Sequence, residues 1–159
     1  MTEPFILFEL EGTTYGVRSK LVQQVEMIHD VAPVPHSHPA VDGVVLVRGQ
    51  VIPALNLRAR FGFARIERDL RSRLIVVNTG SRVVGLVVDT AREFLKISTE
   101  AIEPPPEALS GLSGRYLEGI ATLDDRLVLV LDLDAVLDLD YEVEAEVSET
   151  TTDLTMDGR

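Results

Sequence analysis

The chain contains no cysteine and no tryptophan, and aromatic residues make up only 5% of its 159 residues. The absence of cysteine excludes disulfides, thiolate nucleophiles and thiolate metal sites, and it allows a reducing compartment. So few aromatic side chains leave little of the stacking surface that single-strand nucleic-acid binding uses. A formal net charge of −11 would also repel a phosphate backbone. We therefore expect no nucleic-acid partner.

Long apolar runs are also missing, and the chain begins with MTEPFILFEL, which has no basic segment. A membrane-spanning helix needs about 20 consecutive apolar residues, and a secretory signal peptide needs a positively charged start. We therefore expect a cytoplasmic protein without direct membrane insertion. The hydrophobic fraction of 45% is ample for a folded core, and the length suits one domain or two small subdomains.

The sequence offers no constellation of catalytic residues. The stretch Asn78-Thr79-Gly80 is similar to the Asp-Thr-Gly of aspartic proteases but lacks the acid. The serines have no Gly-x-Ser-x-Gly frame, and no glycine-rich phosphate loop opens a helix. His36 and His38 lie in a proline-rich loop, and we interpret them as solvated because a metal site would need a third ligand. We predict a binding protein without catalytic residues, cofactor or metal.

The densest structural signal is the stretch from Gly43 to Phe63, GVVLVRGQVIPALNLRARFGF. Two apolar, β-branched runs flank Arg48-Gly49-Gln50, a pattern that is typical of a β-hairpin. Asn56 is placed to cap a single helical turn, in which Arg58 and Arg60 can face water. The stretch therefore predicts a strand, a tight turn, a second strand and a short helix.

A second copy of this unit lies 76 residues later without a gap, so that Gly119 matches Gly43 and Asp132 matches Asn56. The hairpin that precedes each unit repeats as well, at a spacing of 69 residues, with Gly85 matching Gly16. Internal repeats of this kind indicate repeated supersecondary units. The sequence predicts two related β-subdomains, each with a hairpin followed by a second hairpin and a short helix.

Two segments are less regular. Apolar residues in 19–28 fit a helical face, but the flanking hairpins favour a turn followed by a strand. From Asp138 onward acidic and apolar residues alternate, and the chain then becomes rich in serine and threonine. We expect residues 141–159 to form an acidic, disordered tail. Like charges in such a tail are usually solvated surface, and an interaction tail is the alternative.

Three stretches together resemble the CheW-like adaptors of bacterial chemotaxis: GVVLVRGQVIPALNLRARF, RVVGLVVDTAREFLKI and YLEGIATLDDRLVLVLDLDAVL. The resemblance covers residues 4–140, with the blocks in family order. It implies an all-β fold of two SH3-like, five-stranded β-barrel subdomains that share a hydrophobic core and carry short helical turns. One subdomain would be centred on residues 20–84, and the other on residues 5–19 together with 85–140.

The resemblance also implies a function, that of a coupling protein joining methyl-accepting chemoreceptors to a CheA-type histidine kinase. Arg48 matches the arginine that such adaptors use toward receptors, and its counterpart in the second copy is Asp124, so the hairpin itself does not require a cation. An ordinary exposed turn arginine is the alternative. The other matched positions are, for the receptor, Val22, Leu74 and Gly85, and for the kinase, Gln24, Val25 and Gly43.

Other functions stay open beside this one. The chain could serve a non-flagellar chemosensory pathway, such as surface motility or pili, or it could be a small β-barrel that binds a ligand. A closed apolar cavity between the barrels would favour the ligand-binding function.

Three positions depart from the family pattern. Leu46 stands where the family usually has asparagine, and Gln24 and Asp42 stand where residues of other charge are common. These departures would tune the choice of partner.

Overall fold

The computed structural model describes residues 1–107 and 114–139. The expected acidic tail therefore lies outside the described residues, as does part of the proline-rich loop before Gly114. The strands are β1 (Thr2–Leu10), β2 (Thr13–Arg18), β3 (Val22–Met27), β4 (Val41–Val47), β5 (Gln50–Asn56), β6 (Arg73–Asn78), β7 (Val83–Val88), β8 (Thr90–Ser98), β9 (Ile102–Glu103), β10 (Leu117–Leu123) and β11 (Arg126–Leu131). Two one-turn helices, α1 (Leu57–Arg60) and α2 (Leu133–Val136), follow β5 and β11.

The strands form two sheets of matching topology. The five-stranded sheet has the order β3-β6-β7-β5-β4, and the six-stranded sheet has the order β8-β1-β2-β11-β10-β9. In the internal repeat, the counterparts of β3, β6, β7, β5 and β4 are β8, β1, β2, β11 and β10. Replacing each strand of the first order by its counterpart gives the second order, with β9 added at the end. The structure thus confirms the predicted all-β class with two subdomains and short helical turns.

One sheet has six strands where five were expected. The additional strand, β9, contributes only Ile102 and Glu103, which pair with β10. At the equivalent place in the other sheet, Ala32 and Val44 exchange two backbone hydrogen bonds of 2.9 Å as an isolated bridge. The difference in strand number therefore comes from one edge, where two residues pair in one sheet and a single residue pairs in the other.

The two sheets are interleaved along the chain. The hairpin β1–β2 belongs to the six-stranded sheet, whereas β3, which follows it directly, pairs with β6 in the five-stranded sheet. Strand β7 pairs with both β5 and β6, so it lies entirely in the five-stranded sheet. The subdomain limit expected at about residue 84 thus lies within this strand, and the chain enters the six-stranded sheet after Val88.

A shared core joins the two sheets. Its buried side chains include Leu10 from the six-stranded sheet, Ile75 and Leu86 from the five-stranded sheet, and Leu57 and Leu133 from the helices. Each fully buried aliphatic side chain of this size stabilises the fold by about 1.5–3 kcal/mol. Two smaller apolar clusters lie within the individual sheets, around Phe5 and around Ile52. Because the central cluster draws on both sheets, the two subdomains form one packed body.

Residues 19–28 begin with a 3₁₀ turn, Ser19–Leu21, and continue as β3. The burial of β3 alternates between half-buried and exposed residues, which is the period of a strand. The turn-and-strand alternative is therefore correct, and the helical one is wrong.

Both helices are capped as predicted. Asn56 Oδ1 accepts the amide of Ala59 at 3.0 Å, and Asp132 Oδ1 accepts the amide of Ala135 at 3.2 Å. An N-cap of this kind satisfies an amide that has no partner within the helix.

Among the described residues, neither the length nor the hydropathy of any helix is sufficient for a membrane span.

The prediction that Arg58 and Arg60 face water is wrong. They are only 8% and 6% exposed, because each is drawn inward by acceptors that are distant in sequence. Arg58 binds the carboxylate of Asp89, and Arg60 donates to the carbonyl oxygens of Val136 (2.8 Å) and Asp138 (3.2 Å). Since helix ends carry carbonyls without intrahelical donors, Arg60 fastens α1 of one subdomain to the end of α2 of the other.

Candidate partner-binding surface

Arg48 lies at the tip of the β4–β5 hairpin, in a two-residue turn. Its φ is 49° and that of Gly49 is 80°, so both central residues are left-handed, as this kind of turn requires. Glu11 and Asp124 have φ 52° at other hairpin turns, so the backbone geometry is common to several turns of this fold. The Arg48 side chain is 78% exposed, and its Nε lies 3.9 Å from Glu26 Oε2. The cation is therefore held at a fixed corner and is open to a partner.

Strand β3, whose Glu26 approaches this corner, carries two of the predicted kinase-contacting residues, Gln24 and Val25. Val25 is 38% exposed and Met27 is 49% exposed on its outward face. Gln24 and Glu26 lie on the opposite face, where Gln24 Nε2 and Glu26 Oε2 are buried without a hydrogen bond to any described residue.

The remaining predicted receptor-contacting residues do not present side chains on the surface. Leu74 is 2% exposed, and a Cβ added at Gly85 would lie 2.7 Å from Leu74 Cδ1. Val22 is half-buried and packs against the shared core. These residues support the strands that carry the surface, and their contact with a receptor stays a prediction.

Gly43, the third predicted kinase-contacting residue, is buried in β4 where the backbone of Ala32 passes close to it. Its φ is +147°, and a Cβ there would lie 2.2 Å from the carbonyl oxygen of Ala32. The equivalent Gly119 shows the same close approach, with 2.6 Å to the carbonyl oxygen of Glu103. A side chain at either position would collide with backbone. Glycine is thus required by the fold here, whatever partner binds nearby.

The outward face of the β4–β5 hairpin is an apolar strip that the sequence did not reveal. Leu46 and Val51 are cross-strand partners and are 69% and 65% exposed. Val44 and Pro53 form the next outward pair on the same two strands. Exposed apolar strips bordered by charge are typical of protein-binding surfaces. The strip leads directly to Arg48 at the tip of the hairpin.

Aromatic residues line a small pocket between the subdomains. Its ring contacts run from Tyr15 to Phe61 (5.7 Å) and from Phe61 to Tyr116 (5.1 Å). The pocket measures about 80 Å³, whereas sites for small-molecule ligands span about 300–1,000 Å³. This pocket can therefore receive a side chain of a partner, and it is too small for a ligand of ordinary size.

The structure thus places Arg48 3.9 Å from Glu26, the neighbour of the predicted Val25 in the chain, and it places Leu74 and Gly43 in the interior. Glu26, which lies beside Arg48, was not predicted. Its only sequence signal is the alternation along β3, which puts it on the same face as Gln24. The apolar strip was missed because the run from Val44 to Val47 is apolar on both faces.

The arrangement defines a class of protein, a small two-lobed β scaffold that offers surfaces for other proteins. Comparison with known families identifies it further, because the model of the CheW-like domain matches residues 4–140. The chain belongs to the CheW-like family of chemotaxis adaptor and scaffold proteins, as its sequence predicted.

Individual relatives agree with this assignment. The chain is 31% identical to the chemotaxis protein CheW of Klebsiella aerogenes over 135 residues, which cover 85% of this chain and 81% of the relative. It is 32% identical to the CheW of Helicobacter pylori, with 86% and 82% covered. The crystal structure of the scaffolding protein TtCheW from Thermoanaerobacter tengcongensis superposes with a TM-score of 0.80 at 28% identity, covering 87% of this chain and 94% of that one. These names are those of chemotaxis and scaffolding proteins and not of enzymes.

Proposed function

We propose that this chain couples chemoreceptors to a CheA-type histidine kinase, and that it does so by placing the two partners relative to one another without catalysis. The observation that carries the proposal is the exposed Arg48, held in a left-handed turn between the apolar strip and the edge strand β3. In this view the chain acts in the cytoplasm and is recruited to receptor arrays at the membrane.

Arg48 suits the receptor contact. Its guanidinium offers a planar set of donors that can bind a carboxylate or a backbone carbonyl with defined geometry. The neighbouring Glu26 carboxylate, at 3.9 Å, limits the directions in which the side chain can point. A helical receptor tip would then lay its apolar face against the chain while Arg48 fixes its register.

The apolar surface that suits the kinase adjoins Arg48 on both sides. Val25 and Met27 on β3 expose apolar area at the edge of the five-stranded sheet, and Leu46 and Val51 do so on the hairpin. Partially exposed edges of this kind bind through side-chain burial together with backbone pairing. Each contact can be modest, because an array of receptors and kinases supplies many contacts at high effective concentration.

The proposal is tested by measuring the binding of receptor cytoplasmic fragments to Arg48→Ala and to a matched variant, Asp124→Ala. Both substitutions remove one charge from a hairpin turn with nearly the same positive φ. We expect at least a tenfold loss of receptor affinity for Arg48→Ala and unchanged affinity for Asp124→Ala. Equal losses for both, or none for either, would remove Arg48 from the receptor site.

A second candidate is an adaptor of a non-flagellar chemosensory pathway, such as surface motility or pili. The observation in its favour is similarity to the protein FrzA of Myxococcus xanthus, which is 37% identical over 107 residues, with 65% of each chain covered. Binding of receptors and kinases from each kind of pathway distinguishes the two candidates, because the adaptor should prefer its own pair.

A further inference from the structure

Residues 64–73, ARIERDLRSR, lie between α1 and β6, include the first residue of β6, and carry a net positive charge in an otherwise acidic protein. They contain four arginines and two carboxylates, in a chain whose formal net charge is −11. Residues 64–71 are all exposed. We refer to residues 64–73 as the basic loop. Its charge is of the opposite sign to that of the chain as a whole, so it is a candidate site for an acidic segment.

The arginines of the basic loop are only partly neutralised. Arg65 pairs with Asp42 (3.0 Å), and Arg71 pairs with Asp69 (3.5 Å) in an exposed contact that is weak in water. Arg73 donates to carbonyl oxygens, at 2.7 and 2.8 Å. Arg68 forms no ion pair with any residue in the described ranges. Asp42 and Asp69 thus offset part of the charge of the basic loop, and Arg68 presents positive charge that no described carboxylate offsets.

Apolar side chains accompany this charge. Ile66 is 50% exposed and Leu70 is 81% exposed. A cleft of about 230 Å³ lies beneath the basic loop, but its two arginines, Arg58 and Arg71, already pair with carboxylates of its own lining, those of Asp89 and Asp69. The charge open to an occupant is therefore that of the arginines on the outer side of the basic loop. An occupant that fits this surface needs carboxylates for the arginines and apolar side chains for Ile66 and Leu70.

Such an occupant is present in the same chain. Residues 140–159 contain seven carboxylates and one arginine, and their first part, DYEVEAEV, alternates acidic residues with Tyr141, Val143, Ala145 and Val147. In an extended chain this alternation places the carboxylates on one side and the apolar groups on the other. The segment thus matches the basic loop in both charge and apolar content.

The two segments also start from the same helical turn. Arg60 of α1 donates to the carbonyl oxygen of Asp138, just before the acidic segment begins. Arg58 of α1 donates to the carbonyl oxygen of Ala64, the first residue of the basic loop, at 3.2 Å. Twenty residues can span up to about 65 Å, so the basic loop is within reach. Tethering within one chain gives an effective concentration on the order of millimolar, at which weak ion pairs add up to binding.

We propose that residues 140–159 bind the basic loop of their own chain through carboxylate–arginine pairs around Ile66 and Leu70. The interaction surface is independent of the proposed coupling function. A second copy of the chain, or an acidic segment of another protein, could pair with the same arginines. Neither would have the high effective concentration that attachment within one chain provides.

The absence of cysteine makes a direct test possible in the full-length chain, because a single Thr151→Cys variant can carry a nitroxide spin label. Amide signals near the label lose intensity in nuclear magnetic resonance spectra, relative to the reduced label. We expect the amides of the basic loop to lose at least half of their intensity, and those of the Asp124 turn to lose little. Uniform losses, or no loss at the basic loop, would overturn the proposal.

Charge reversal provides the control. Arg68→Glu with Arg71→Glu should restore the signals of the basic loop, whereas Arg92→Glu with Lys96→Glu, the same change of charge on exposed positions of β8, should not. Restoration by both pairs would indicate a general charge effect and overturn the proposal.

Binding within one chain is distinguished from binding between two copies by a mixed sample. In it, one population of chains carries the spin label and the other carries the isotope label without a spin label. Binding within one chain predicts no loss in the mixture. A loss at the basic loop there would assign the contact to a second copy instead and would contradict binding within one chain.

Discussion

Replacing Arg58 with methionine should destabilise the fold by about 2–4 kcal/mol. The guanidinium is 8% exposed and binds both carboxylate oxygens of Asp89, with Nε–Oδ1 at 2.8 Å and Nη2–Oδ2 at 2.7 Å. Removing one partner of a buried ion pair typically costs about 3–5 kcal/mol, because the other charge stays buried. The Asp89 side chain is 22% exposed, so water recovers part of this cost and the expected loss is smaller.

The loss should depend on pH. Burial by itself would raise the pKa of Asp89, but hydrogen bonds from Arg58 and from the amide of Glu11 outweigh it, and the pKa is lowered. A carboxyl group whose pKa is lowered in the folded state stabilises the fold above its unfolded pKa of about 3.9. That stabilisation is lost as the pH falls through the folded pKa. The difference between the parent chain and Arg58→Met should therefore be full at pH 7 and shrink below about pH 4.

Urea unfolding followed by circular dichroism at pH 7 and at pH 3 measures both effects. Arg126→Met is the matched control, because Arg126 also binds a carboxylate with two hydrogen bonds, to Glu93 at 2.9 Å each, but in an exposed pair. Exposed pairs contribute about 0–1 kcal/mol. Equal losses for the two variants, or a loss below about 1 kcal/mol for Arg58→Met, would show that burial of the Arg58–Asp89 pair does not matter.

Three further substitutions test the fold around the binding surface, each by urea unfolding. Gly43→Ala should cost more than about 2 kcal/mol, because its Cβ would meet the backbone oxygen of Ala32 at 2.2 Å in a strained conformation. Gly85→Ala should cost only about 1 kcal/mol, because the neighbouring atom at 2.7 Å is the end of the Leu74 side chain, which can move. The reverse order would contradict these contacts. Asn56→Ala should cost about 1–2 kcal/mol through loss of the α1 cap, and a neutral result would show that the cap does not contribute.

Local chemistry made much of the fold predictable. The β4–β5 hairpin follows from Arg48-Gly49 between two β-branched runs, and the start of α1 follows from Asn56 three residues before the amide that it caps. The internal repeat extended these assignments to the second half of the chain, where β10, β11 and α2 lie 76 residues after β4, β5 and α1. The spacing of residues along the chain is therefore enough to predict hairpins, helix starts and their repetition.

Contacts between distant residues were not predictable in this way. Arg58 and Arg60 have the sequence environment of exposed helical arginines, and their burial depends on Asp89 and on the end of α2. The pairing of β3 with β6 likewise joins segments that lie about fifty residues apart. A single sequence carries no local signal for such partners, so these pairings came only from the structure, although the family resemblance had already implied that residues 5–19 and 85–140 form one subdomain.

The same limit applied to the candidate site. Exposure of Arg48 follows from its place in a tight turn, and it was predicted. The burial of Leu74 and the outward position of Leu46 depend on which face of each sheet is covered, and uniformly apolar strands do not reveal this. Glu26 lies beside Arg48 only because the end of β3 comes close to the β4–β5 turn.

Co-sedimentation of receptor cytoplasmic fragments with a CheA-type kinase, in the presence and absence of this chain, tests the coupling function most directly. We predict that the kinase sediments with the receptors only when the chain is added, and that Arg48→Ala abolishes this while Asp124→Ala preserves it. A kinase that sediments equally well without the chain, or a chain that stays in the supernatant at high concentration of both partners, would contradict the account.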